Sequence, residues 1–269
     1  MKDSTKQTKT KKQSRSTLKT LAVGAGVALF WLVVWELAAR LVAAELLLPS
    51  PLKVATTWWG LAKTAAFWKT AGGSLLRVVC GFAAGTLGGT LLAFATVGCA
   101  PLRALVAPLL HIVRAAPVAS FIILALVWIK TAWLPPVIAC LMVLPLVWAN
   151  VEQGLAETDK KLLEMAAVYR LPKRAVRRHI RLPSLTPYLV SACKTGLGFA
   201  WKSSIAAEVI CRPDGSVGDG LYCAKLLLET PEVFAWTGTV VLLSVALEKG
   251  LLLVANRLNR RHPQKEVAQ

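Results

Sequence analysis

Acidic residues and histidines are scarce in this chain, and several catalytic motifs are missing. Its 269 residues include 32 Lys and Arg but only 14 Asp and Glu, with three His. No Gly-x-x-x-x-Gly-Lys-Ser/Thr loop is present to hold nucleotide phosphates, so we do not expect this chain to hydrolyse ATP. Neither a His-Glu-x-x-His motif nor a Ser/His/Asp arrangement occurs, which argues against an intramembrane protease or a transferase.

The six cysteines are not spaced for metal or redox chemistry. No pair has the Cys-x-x-Cys spacing, so neither a zinc site nor a redox centre is predicted. Cys211 and Cys223 share one polar loop and could pair on an oxidising side, but two free thiols are favoured. We therefore predict no cofactor and no metal bound by this chain.

Hydrophobic residues and positive charge are what the sequence has in excess. The chain is 55% hydrophobic, with a mean hydropathy of +0.56 and a net charge of +18. A basic soluble protein would suggest a nucleic-acid partner, but here the charges lie between long apolar runs. That pattern is typical of a protein that crosses the membrane several times. We predict an all-α polytopic protein of the plasma (inner) membrane that binds no nucleic acid.

Six apolar runs are each long enough to cross about 30 Å of hydrocarbon. They cover about 21–41, 74–98, 117–133, 135–152, 186–211 and 234–255. The sequence predicts a disordered basic tail over 1–19, a membrane domain over 20–256, and a second tail over 257–269. Both tails and the loop after the fourth run carry most of the Lys and Arg residues. This bias predicts that all three lie in the cytoplasm.

The second run carries Gly81, Gly85 and Gly89 at a four-residue spacing. This spacing puts the three glycines on one helix face and predicts close packing against another helix. In the first run, Glu36 and Arg40 are four residues apart and are expected to pair.

Ionisable residues inside the runs are the candidates for a solute pathway, because a charge in lipid is costly. Arg77, Lys194 and Lys249 lie near the ends of their runs, where a side chain can reach water. Lys202 and Glu208 lie deeper and are our pathway candidates. Pairing between helices is the alternative interpretation of both.

The loop after the fourth run is the most basic internal segment and reads as two short helices. Asp159 can cap a helix over about Lys160 to Tyr169. Pro172 suits the start of a second helix through about Arg181, and Leu182-Pro183 is expected to end it. The arginines alone would favour lipid headgroups, whereas the small apolar cluster beside Glu164 favours a groove on a protein.

This loop resembles the EAA loop of permease subunits of binding-protein-dependent ABC importers. That motif reads approximately Glu-Ala-Ala-x-x-x-Gly, nine variable residues, a hydrophobic residue, x and Leu-Pro. Glu164-Met165-Ala166 and Leu182-Pro183 stand at the corresponding positions. LPSP, SLLRVVCGF, APVASFIILALVW and LGFAWKSSIAAEVI occur in that order and look like the nitrate/sulfonate/bicarbonate/taurine branch.

The resemblance implies a transmembrane subunit that forms a homodimer around a solute pathway. It also implies two cytoplasmic ATPase subunits, which bind ATP and Mg, and an external solute-binding protein. The residues expected to contact the ATPase are Glu164, Met165, Ala166, Ala167, Arg170, Leu171, Pro172, Leu182 and Pro183.

Two positions depart from the motif: Met165 replaces its central Ala, and Arg170 replaces its Gly. Glycine adopts a left-handed backbone at about 1 kcal/mol less than other residues, so Arg170 predicts a different turn.

Other functions stay open at this point. An ion-coupled secondary transporter would need carboxylates or broken helices near the middle of the membrane in both halves, and only Glu208 qualifies. A membrane scaffold could recruit a cytoplasmic protein through the same loop. The solute is also open between a small anion of the sulfonate, nitrate or taurine kind and a thiamine precursor or other small organic solute.

Overall fold

The structure, a computed structural model, describes the backbone of residues 3–260 and the side chains of residues 23–253. Every regular element in that range is helical, which confirms the predicted all-α fold. In chain order the elements are α1 (Asp3–Val42), α2 (Pro51–Ala62), α3 (Ala65–Val97), α4 (Ala100–Ala115), α5 (Val118–Ala125), α6 (Leu134–Ala156), α7 (Lys160–Val168), α8 (Lys173–Val176), a π-helical segment (Arg177–Arg181), α9 (Leu182–Cys211), α10 (Val217–Leu226) and α11 (Thr230–Arg260).

Four of the described helices are long and apolar enough to cross a membrane. They are α3, α6, Val23–Val42 of α1 and Thr230–Leu253 of α11. The pair α4 and α5 makes a fifth candidate if it is counted as one span broken by a bend of 105°. Helix α9, the predicted fifth span, is long enough but too polar to qualify by composition. Its Glu208 is fully buried in protein, which explains why this helix tolerates charge.

The predicted third span, 117–133, is wrong as a single helix. Only Val118–Ala125 of that stretch is helical, and it follows a sharp break after α4. The cause is Pro117, which precedes α5 and disfavours a helical backbone at Ala116. Ala116 accordingly has an extended conformation, with φ −79° and ψ 146°.

The structure describes the predicted tail over 1–19 from Asp3 onward as part of α1. Adding a residue to a helix that already exists is far easier than starting one, and Lys and Gln are good helix formers. At the other end, α11 reaches Arg260, so it includes the first residues of the predicted C-terminal tail. Residues 1–2 and 261–269 lie outside the described part.

The chain divides into two compact units. The smaller one comprises Met1–Lys63 and Ala224–Ala235, and the larger one comprises Thr64–Cys223 and Trp236–Gln269. The resemblance of the sequence to a permease covers both.

Inside the smaller unit, α1 is held by an aromatic contact and a hydrogen bond. Trp35 stacks on Phe234 with ring centroids 5.7 Å apart, and its indole Nε1 donates to the carbonyl oxygen of Pro49 at 3.1 Å. The expected pair between Glu36 and Arg40 forms, with Arg40 Nε 2.7 Å from Glu36 Oε1.

Inside the larger unit, α3, α6 and α9 pack together around one core. Val78, Val143 and Val147 are fully buried there. Trp148 adds a buried hydrogen bond from its Nε1 to Thr96 Oγ1 at 2.9 Å, which satisfies both polar groups within the core.

The three glycines of α3 lie against α6. A Cβ atom built on Gly81, Gly85 or Gly89 would lie only 2.4, 2.8 or 2.5 Å from a carbonyl oxygen of α6. Any larger residue would therefore force the two helices apart. The spacing in the sequence thus corresponds to a contact in which backbone meets backbone.

Candidate functional site

The basic segment 157–183 forms one short helix, α7, followed by the start of a second helix, as the sequence predicts for the beginning of each. The carboxylate of Asp159 accepts a hydrogen bond from the backbone N–H of Lys161 at 2.8 Å and caps α7. Helix α7 ends at Val168, one residue before the predicted end at Tyr169. Pro172 precedes α8 in an extended conformation, with φ −63° and ψ 143°.

The sequence predicts that Arg170, in place of glycine, changes the turn after α7. That prediction is wrong. Arg170 has φ +49° and occupies the left-handed position itself. Its N–H donates to the carbonyl of Ala167 at 3.0 Å, and the N–H of Leu171 donates to that of Ala166 at 2.9 Å. These are the two bonds of a Schellman cap, which offset the strain of a left-handed non-glycine residue.

Helix α7 has a buried side and an exposed side. Ala166 is only 3% exposed, whereas Met165 is 44% and Val168 79% exposed. Glu164 and Ala167 are exposed beside them. The outer side of α7 therefore offers one carboxylate among apolar side chains, a composition that suits a groove on a partner protein.

The second helix does not end at Leu182-Pro183, so that prediction is wrong. The backbone passes from α8 through the π-helical segment directly into α9, with Leu182 at φ −64° and ψ −43°. The N–H of Leu182 donates to the carbonyl of Arg177, five residues back. A proline inside an α-helix collides with the carbonyl four residues earlier, and the wider π turn accommodates Pro183 without breaking the helix.

A contact at the base of the segment was not foreseen from the sequence. The hydroxyl of Tyr188 in α9 donates to the carboxylate of Glu157, which also accepts from Gln153 Nε2 at 2.9 Å. The Tyr188 ring lies over Gly154, where a Cβ would come within 2.8 Å of it. The hydrogen bonds from Tyr188 and Gln153 lower the pKa of Glu157. This contact joins the start of the segment to α9, just beyond the segment's end.

A buried ion pair lies at the far end of α9. The carboxylate of Glu208 is fully buried and accepts from Ser74 Oγ at 2.7 Å, Arg77 Nη1 at 3.3 Å and the N–H of Gly218 at 3.3 Å. Ser74 Oγ in turn accepts from the N–H of Val217 at 3.0 Å. Three donors thus satisfy the buried charge, as a buried carboxylate requires.

The same cluster fixes the start of α10. A Cβ at Gly218 would lie 2.4 Å from that of Glu208, so only glycine fits there. Arg77 also donates from Nη2 to the carbonyl of Asp214 at 3.4 Å. The loop before α10 is therefore tied to both α3 and α9.

The structure changes the interpretation of the ionisable residues. Arg77, expected to reach water, pairs with Glu208 and is 22% exposed. The partnership was missed because 131 residues separate them in sequence. Lys202 is exposed and does not join the cluster, so the two pathway candidates are not brought together.

Cys211 and Cys223 are free thiols, as the sequence favours. Cys211 is buried, and its Sγ donates to the carbonyl of Thr131 at 3.6 Å. The thiol of Cys223 lies 3.3 Å from Arg212 Nη2. Among the described residues, no group of three His, Cys, Asp or Glu side chains is placed to hold a metal ion.

Long apolar helices, a fold without strands in the described range and a basic two-helix segment define a polytopic membrane protein of the permease class. Residues 85–261 match the family of binding-protein-dependent transport system inner membrane components, and the chain belongs to that family. It is a permease subunit of an ABC importer, the membrane component of the system and not its ATPase.

Related permeases cover much of the chain. The taurine transport system permease protein TauC of Escherichia coli (strain K12) is 24% identical over 250 residues, covering 90% of each chain. The putative aliphatic sulfonates transport permease protein SsuC of the same organism is 26% identical over 74% of this chain and 76% of its own. The nitrate import permease protein NrtB of Synechocystis sp. (strain ATCC 27184 / PCC 6803 / Kazusa) is 24% identical over 63% of each.

Solved structures share the fold. A chain of an amino acid ABC transporter with histidines superimposes with a TM-score of 0.59 at 13% identity, covering 68% of this chain and 90% of its own. A chain of the inward-facing MetNI methionine ABC transporter gives a TM-score of 0.54 at 21% identity, covering 73% and 94%.

Proposed function

We propose that segment 157–183 docks α7 onto a cytoplasmic ATPase subunit and passes the closure of that subunit to the membrane helices. The observation that carries this is the exposed apolar side of α7 around Glu164, held rigid by caps at both ends. A helix held by two caps can transmit displacement instead of absorbing it by fraying. The residues proposed to meet the ATPase are the exposed members of the predicted set: Glu164, Met165, Ala167, Arg170, Leu171, Pro172, Leu182 and Pro183. Ala166, also predicted to contact the ATPase, is only 3% exposed and packs on the inner side of α7.

The remaining assembly follows from the same role. Two copies of the chain surround the solute pathway, with their N- and C-termini in the cytoplasm and lipid around them. The ATPase subunits bind ATP and Mg. A solute-binding protein delivers solute from outside, and the pathway alternates between outward and inward access.

The proposed solute is a small anion of the sulfonate, nitrate or taurine type. Support comes from three relatives, whose names concern taurine, aliphatic sulfonates and nitrate. Exposed Lys202 on α9 would suit an anion and remains our pathway candidate. Glu208 is the weaker candidate, since three donors already occupy its carboxylate. A thiamine precursor is the alternative solute.

The experiment is to reconstitute the permease with its ATPase and its solute-binding protein. Glu164→Arg reverses the charge at the centre of the exposed side of α7. It should abolish ATP-driven uptake, while the permease still purifies normally. Glu229→Arg, an exposed carboxylate outside the segment, is the matched control and should keep uptake. Uptake that persists without any ATPase would contradict the proposal and favour an ion-coupled transporter.

The solute is tested separately on the purified binding protein. Titration with taurine, ethanesulfonate, nitrate and a thiamine-precursor pyrimidine should give measurable affinity for at least one of the first three, each of which presents sulfonate or nitrate oxygens. Affinity for the pyrimidine alone would overturn the anion assignment and leave the coupling proposal intact.

A further inference from the structure

A row of exposed arginines runs along α8 and the π-helical segment. The opposite side of the same helix is apolar: Val176 is half-buried and Ile180 is only 7% exposed. The helix is thus two-sided, with its apolar side towards the protein. The row consists of Arg174, Arg177, Arg178 and Arg181.

The positive charge of this row is not balanced within the chain. Residues 170–181 include six Lys and Arg and no acidic residue. None of the ion pairs formed among residues 23–253 involves a side chain of that stretch. A row of like charges costs free energy through repulsion, so a counter-charge from outside the chain would stabilise it.

The position of the row indicates where the counter-charge lies. Arg181 adjoins Leu182, and the helix continues without a break into α9. At about 1.5 Å per residue, the row lies roughly 7 to 18 Å before residue 186, where the predicted span begins. The headgroup layer extends about 5–7 Å beyond the hydrocarbon, so Arg181 lies at its outer edge, and the long side chain of Arg178, one turn further out, can reach back to the phosphates.

The two helices of the segment therefore differ in what they offer. Helix α7 presents apolar side chains around Glu164, whereas the arginine row presents only guanidinium groups. A guanidinium group matches a phosphate through two parallel hydrogen bonds. A protein groove that accepted this row would need several buried carboxylates, but a leaflet of anionic lipid supplies phosphates at the required depth.

We propose that the arginine row of α8 and the π-helical segment binds the phosphate groups of anionic phospholipids in the cytoplasmic leaflet. This assignment rests on the cytoplasmic orientation proposed above and is independent of the ATPase. The lipids anchor the start of α9 at the membrane surface and leave α7 free to meet its partner.

The test uses the full-length permease in neutral detergent, where orientation plays no part. Native mass spectrometry compares the retention of phosphatidylglycerol with that of phosphatidylcholine. Arg178→Gln/Arg181→Gln should lower the preference for phosphatidylglycerol by about fivefold per arginine removed. Lys160→Gln/Lys161→Gln removes the same charge from α7 and should keep the preference.

Arg178→Lys/Arg181→Lys keeps the positive charge and should retain most of the preference for phosphatidylglycerol. It shows that a loss in the glutamine variant comes from the missing charge and not from misfolding. An unchanged preference in the glutamine variant would overturn the proposal, as would an equal loss in the Lys160/Lys161 control. A glutamine variant that retains phosphatidylglycerol but loses ATPase binding would assign the row to the protein interface instead.

Discussion

Arg170 stands where the loop motif has glycine, and its backbone dihedral angle shows which turn the chain makes there. The left-handed turn is retained with arginine in it, so the two hydrogen bonds of the cap determine the backbone more than the side chain does. The turn is strained by about 1 kcal/mol compared with glycine.

Arg170→Gly should accordingly raise the free energy of unfolding by up to about 1 kcal/mol, since glycine adopts φ +49° without a Cβ penalty. Thermal unfolding of the purified permease measures this as a higher midpoint. Arg174→Gly, inside α8, should lower the midpoint by a similar amount. A lower midpoint for Arg170→Gly would contradict the strained turn.

The pair Arg77–Glu208 gives a second prediction at the residue scale. Arg77→Gln leaves a fully buried carboxylate without its counter-charge and should cost about 3 kcal/mol. Glu208→Gln should cost less, because Arg77 is 22% exposed and can turn to water. Unfolding of both single variants and the double variant measures the coupling, and the double variant should cost less than the sum. Additive losses would mean that the two charges do not interact.

At the scale of elements, α3 and α6 are joined by contacts that only glycine permits. Gly85→Ala should lower stability by about 1–3 kcal/mol, because its new Cβ would lie 2.8 Å from a carbonyl oxygen of α6. Gly72→Ala is the matched control: it lies on the exposed side of the same helix, with nothing within 4 Å, and should be neutral or slightly stabilising. Equal effects in a thermal unfolding experiment would contradict the close contact.

The helices were predictable where a single periodic pattern decides, and not where two rules compete. The glycine stripe and α7 with its Asp159 cap follow from local spacing. The prediction of the third span as one helix is wrong at Pro117, because hydrophobicity alone does not reveal the break there. The prediction at Pro183 is wrong in the opposite sense, since this proline was expected to end a helix and is instead accommodated by a π turn. Contacts across long separations, such as Arg77 with Glu208, have no signal in one sequence.

At the scale of the whole molecule, the distribution of Lys and Arg predicts that segment 157–183 faces the cytoplasm. Trypsin added to inside-out vesicles should therefore cut a C-terminally tagged permease between residues 170 and 181, where the Lys and Arg side chains are exposed. The same enzyme should leave this segment intact in right-side-out vesicles. The sizes of the tagged fragments on an immunoblot show where the chain was cut. Cleavage at this segment only in right-side-out vesicles would contradict the predicted orientation and place the segment outside the cell.

The unbroken passage from α8 through the π turn into α9 has a mechanical consequence. From Lys173 to Cys211 the chain is one helical rod of about 55 Å, with the arginine row near one end and Glu208 near the other. The helical backbone is continuous over that length, so its two ends are joined by hydrogen-bonded turns and not by a loop. If the docking proposed for α7 tilts the Lys173 end of this helix, the Cys211 end moves with it, and so does the start of α10, which Glu208 holds through Ser74 and Gly218. Under that proposal the helix acts as a lever between the ATPase and the loop before α10.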